Sequence, residues 1–100
     1  MANTPKKLFR GAASTGNTTL YTTPSATITV VTSIVVSNTS ASSQTFTINL
    51  AGAAIASSTT LAANSLATFD LKQVINATET ISGSASATSV VFHISGVEIV

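Results

Sequence analysis

Residues 26–38 read Ala-Thr-Ile-Thr-Val-Val-Thr-Ser-Ile-Val-Val-Ser-Asn, and their alternation decides the fold. Most are Val, Ile or Thr, whose branched Cβ suits a pleated strand and loses χ1 freedom in a helix. Ile28, Val30, Ile34 and Val36 fall on one face of such a strand, interrupted only by Thr32. Thr27, Thr29, Ser33 and Ser37 share the other face with Val31 and Val35. A period of two over roughly twelve residues predicts a strand of about 40 Å, long enough to cross a small domain. One face is apolar but for Thr32 and the other mixed, as expected for the central strand of a β-sandwich.

On either side of this stretch, turn residues divide the chain. Residues 1–6 are expected as a flexible N-terminal arm and residues 7–100 as one domain. Strands are predicted at residues 7–13 and 18–23, separated by Gly16-Asn17 and closed by Pro24, which removes a ladder donor. Residues 44–50 alternate cleanly, with Phe46, Ile48 and Leu50 inward. With the long strand they read as an antiparallel hairpin joined by residues 39–43. A weak strand is expected at residues 53–56, and a loop or edge segment at 57–64. Residues 65–71 are a strand with Ala67, Phe69 and Leu71 on one face. Residues 72–76 break the alternation, suggesting a helical turn with Asp70 at its N-terminus and Val74 or Ile75 plugging the sandwich end. A strand resumes at residues 79–86. In residues 89–100 the apolar phase moves from Val90, Phe92 and Ile94 to Val97 and Ile99, with Gly96 marking a β-bulge. The expectation is an all-β antiparallel sandwich of seven or eight strands, with a jelly roll as one arrangement.

Composition narrows the class of function. Only 7% of residues are charged and 44% are hydrophobic, while Ser and Thr make up about a third. Disorder requires low hydrophobicity, whereas here the hydrophobic residues are many and alternate, so the chain is read as folded. A net charge of +1 gives little colloidal repulsion. Few Lys or Pro residues stand ready to guard sheet edges, which suits a surface that spends its life against neighbours. An assembly component is expected. There is no Cys, which excludes disulfides and thiolate chemistry. The opening residues lack the apolar core of a signal peptide, and no run approaches a membrane span.

Chemistry-bearing residues are scarce. His93 with Asp70 and a serine is the one conceivable hydrolytic set, but no nucleophile-elbow motif accompanies it. Asp70, Glu79 and Glu98 lack the Asp/Asn-Gly clustering of a calcium loop. No catalytic residue, metal or cofactor is assigned. Lys6, Lys7 and Arg10 put three of the four basic residues in the first ten positions. They are the expected partner-contact residues, docking on an acidic neighbour; three charges are too few for a nucleic-acid patch.

Five stretches carry a resemblance: Lys-Leu-Phe-Arg-Gly at 7–11, Thr-Leu-Tyr-Thr-Thr-Pro at 19–24, Ile-Val-Val-Ser-Asn-Thr-Ser-Ala at 34–41, Phe-Asp-Leu-Lys-Gln-Val-Ile-Asn-Ala at 69–77 and His-Ile-Ser-Gly-Val-Glu-Ile at 93–99. With them the chain resembles small all-β virion proteins of tailed bacteriophages. The resemblance implies a structural part of the particle, assembled in the host cytoplasm. A capsid decoration, or cement, protein would contact the major capsid protein and copies of itself, as a trimer or other small ring. A tail- or fibre-associated module touching the host surface is the alternative. These stretches are strand and turn motifs, so no active-site residue is implied.

Overall fold

A computed structural model describes residues 3–100. Among them are eight strands: β1 (Asn3–Ala12), β2 (Thr18–Thr22), β3 (Ile28–Asn38), β4 (Gln44–Leu50), β5 (Ala53–Leu61), β6 (Ser65–Ile75), β7 (Thr80–Ala85) and β8 (Val90–Ile99). β1 pairs with β8, β2 with β7, β3 with β6 and β4 with β5, all antiparallel. That is one long hairpin of paired arms. It folds at Ala51-Gly52, whose φ values of 51° and 81° make the left-handed pair of a type I′ turn. The hairpin then rolls up, bringing β8 against β3 and β7 against β4. The two sheets have the orders β1-β8-β3-β6 and β2-β7-β4-β5. This is a jelly roll, an eight-stranded form of the expected sandwich.

Phe46, Phe69 and Phe92 meet between the sheets, Phe46 edge-on to both at 6.1 and 6.5 Å. Ile34, Val36, Ile48, Ile81, Val90 and Ile94 are buried around them. These are the inward residues that alternation predicts for β3, β4, β7 and β8.

Three local expectations are corrected. β3 and β4 are not a hairpin, because residues 39–43 cross from one sheet to the other. Asn38 anchors the crossing from inside the core. Its Nδ2 lies 3.0–3.1 Å from the carbonyls of Ser42, Leu61 and Ala62, and its Oδ1 accepts from Ser40 N at 2.9 Å. The helical turn at residues 72–76 is absent, since β6 runs on to Ile75, with Val74 and Gln73 opposite Val30 and Val31. Asp70 therefore caps nothing; it lies in β6 opposite Ser33. Ile75 does close the core, whereas Val74 is exposed. Lastly, residues 3–6 of the expected arm are already strand, paired from Asn3↔Ile99 to Lys6↔Gly96; Met1 and Ala2 lie outside the described residues.

A seam of bulges crosses the first sheet. Leu8 is extra in β1, Thr32 is extra in β3, and the pair Leu71-Lys72 faces the single Thr32 from β6. β8 has no bulge, contrary to the reading of Gly96; its partners deform around it. The reason is contact: a Cβ on Gly96 would lie 2.4 Å from the Val30 carbonyl oxygen and 2.9 Å from Leu8 Cδ1. The seam reverses the facing of β3. Thr29 and Val31 point inward before it, Ile34, Val36 and Asn38 after it, so Ile28 and Val30 do not share a face with Ile34 and Val36.

The other sheet's edges are bulged too, with Leu20 extra in β2 and two irregularities in β5 between Phe46 and Asn49. All four edge strands thus carry a bulge, a device that blocks pairing with a foreign strand. The edges are guarded after all, by geometry that the sequence did not display.

Candidate interaction surface

Beyond the seam, towards Ile28 and Ile99, the sandwich is turned inside out. In β8 the inward positions are Gly96 and Glu98, while Val97 and Ile99 face outward. In β3 Thr29 is fully buried, while Ile28 is 44% exposed and Val30 half-buried. The phase change of β8 is therefore a change in which face is apolar, not a slip of the strand.

Inside, the polar residues satisfy one another. Tyr21, from the second sheet, donates its hydroxyl to Glu98 Oε2 and lies 2.9 Å from Thr29 Oγ1. Because that phenol proton goes to the carboxylate, Thr29 is the donor in the second bond. Lys6 Nζ approaches both Glu98 oxygens at 3.3–3.4 Å, the sole ion pair among the described residues. Side chains from β1, β2, β3 and β8 are tied together here. The Tyr21 hydrogen bond, assisted by Lys6, holds the Glu98 carboxyl below its usual range. Burial, then the bond to Glu98, pushes the Tyr21 hydroxyl up.

Outside, the register lays the residues of the first sheet in rows. The row nearest the end joins Ile99 to Ile28, and the next runs Pro5, Val97, Val30, Val74 across all four strands. Past the seam come Lys7, Ser95, Ser33, Asp70, then Arg10, His93, Val35, Thr68, then Ala12, Val91, Ser37, Leu66. Val74 is 58% and Leu66 62% exposed. The outer face of the second sheet differs in kind. Its rows are Thr19, Ser82, Asn49 and, beside them, Ser84 and Thr47. Within them Asn49 Nδ2 reaches Ser82 Oγ and, in the adjoining turn, Asn17 Oδ1, both at 3.3 Å, and Thr47 Oγ1 accepts from the Ser58 N–H at 2.9 Å.

The predicted contact residues separate. Lys6 is spent on Glu98, whereas Lys7 and Arg10 are exposed on the outer face of the first sheet. His93 lies on β8 and Asp70 on β6, with β3 between them and no hydrogen bond joining them. No group of three or more potential metal ligands occurs among the described residues. Glu79 instead accepts from the Asn76 backbone N–H at 2.6 Å, closing the turn into β7. Sequence reasoning missed Tyr21 and Glu98 as a pair, since 77 positions separate them. It also missed the apolar rows, because a bulge of Thr32 has no sequence mark. Comparison with protein-family models and with curated proteins finds no match for this chain.

Proposed function

We propose that this chain is a structural protein of a bacteriophage particle, a decoration protein bound to the outside of the head that stabilises it. The reading joins the sequence resemblance to one observation: the outer face of the first sheet carries two apolar rows, with Ile28 and Val74 exposed and Val30, Val97 and Ile99 half-buried, while Thr29 and Glu98 point inward behind them. Outward Val30, Val97 and Val74 with inward Glu98 and Thr29 reverse the usual economy of burial, and a reversal of that kind marks a surface built for contact. The guarded edges leave this face as the available means of association. Partners of this reading are the major capsid protein and further copies of the chain, so that modest contacts repeated by symmetry resist internal pressure. A jelly roll agrees with the reading without requiring it, since the fold builds viral coats and sugar-binding domains alike.

The test is addition of the purified chain to undecorated capsids. Saturable binding with a rise in capsid melting temperature is expected. Absence of binding to heads, with labelled chain found on tails by electron microscopy, would replace this reading with the tail- or fibre-associated one.

A further inference from the structure

The same face bears a second feature, independent of its apolar rows. Past the seam is a shallow hollow of about 400 Å³, with Arg10 on β1, His93 and Ser95 on β8, and the hydroxyls of Ser33 and Ser37 on the neighbouring β3. Val35 and Leu66 supply its apolar lining. Arg10 and His93 are register neighbours on β1 and β8, and Val35 faces His93 from β3. None of these five polar side chains donates or accepts a side-chain hydrogen bond among the described residues, although on the opposite sheet Asn49 bonds Asn17 and Ser82, and Ser86 bonds Gln44. Their hydrogen-bonding capacity is unspent.

The charge is uneven as well. Lys7 and Arg10 lie together on β1, whereas the single acid of this outer face, Asp70, lies near Lys72 on the far edge strand β6. A guanidinium with a fixed fork of donors, beside an imidazole and three hydroxyls, is the chemistry that holds a carboxylate. Val35 and Leu66 add a place for an aliphatic stem.

We infer that this hollow is a binding site for a carboxylate on an aliphatic stem, an Asp or Glu side chain of an acidic protein segment. Arg10 and His93 take the oxygens, and the serines complete the shell. The partner's apolar contact then lies about 13 Å away, four strand residues from His93 to Val97. The inference rests on the assembly reading for the identity of the partner, but the site itself is tested without any capsid.

The experiment is amide NMR of the labelled chain titrated with a blocked Ala-Glu-Leu-Glu peptide, its Gln counterpart, and glucuronate. Saturable shifts at Arg10, Val35, His93 and Ser95 with the Glu peptide are expected, with none from the Gln peptide. Arg10→Ala is expected to weaken the response at least about tenfold, the loss of one charge-assisted bond. Arg10→Lys restores charge without the fork and recovers only part of it. Equal responses to the Gln peptide, insensitivity to Arg10→Ala, or shifts centred on Lys6 and Lys7 would overturn the site. A stronger response to glucuronate would overturn the assignment to a protein partner. If the peptide binds and capsids do not, the assembly reading fails while the site stands; the opposite pattern removes the site alone.

Discussion

Gly96→Ala tests the geometry on which the interaction surface depends. The added methyl would meet the Val30 carbonyl oxygen at 2.4 Å, and ordinary contact begins near 3.4 Å, so β3 and β8 must part by about 1 Å. The obstacle is backbone in the middle of a sheet, which cannot rotate aside as a side chain does. Parting by that much stretches ladder bonds from about 2.9 Å past their limit. Two such bonds at about 1 kcal/mol each, with overpacking of about 1–3 kcal/mol, amount to about 3–5 kcal/mol. In a domain of this size each kcal/mol moves the melting temperature by about 4–8 °C, so a fall of about 12–40 °C is expected. Thermal unfolding followed by circular dichroism measures it, with Gly16→Ala as control, since a Cβ at Gly16 meets nothing within 4 Å. A Gly96→Ala protein melting within about 3 °C of the parent, on that same scale, would refute the close approach. It would also refute the account of why β3 and β1 bulge around β8.

Further outcomes follow from the same structure. Asn38→Ala leaves three carbonyls and the Ser40 N–H without their partner and is expected to cost about 2–4 kcal/mol in urea unfolding; a loss under 1 kcal/mol, about one ordinary hydrogen bond, would contradict its anchoring role. Glu98, with its pKa depressed in the folded state, contributes stability that is full above about pH 4.3 and lost as pH falls through its lower folded value. Tyr21, with its pKa raised, contributes stability that is full below about pH 10 and lost as pH rises through its higher folded value. Melting temperature against pH should thus fall less steeply in acid for Glu98→Gln than for the parent; parallel curves would deny the coupling. Thr23 carries a buried hydroxyl with no hydrogen-bond partner among the described residues, so Thr23→Val should gain about 1 kcal/mol in the same unfolding assay. Val74→Asp, on the exposed apolar row, should leave stability within about 0.5 kcal/mol yet abolish protection of capsids. Unchanged protection would separate this row from the partner.

Much of the fold was legible in the order of the residues. Alternation in residues 44–50, 65–71 and 89–95 named the inward side chains Phe46, Ile48, Phe69, Phe92 and Ile94, because a strand's period of two needs no knowledge of its partners. The all-β class and the boundaries of most strands followed from the same local rule. The candidate surface was not legible. Thr32, Leu8 and Leu71-Lys72 look like any other strand residues, and their bulging is decided by Gly96 and by strands distant in sequence. One extra residue in β3 moved Val30 from the core face to the outside and buried Thr29 in its place. Lys6 appeared as a free cation until β8 set Glu98 beside it. Which sheet each strand joins, and which face each side chain therefore presents, are properties of pairing across the whole chain. The local sequence determined that strands would form; only their tertiary register decided what this protein shows to its surroundings.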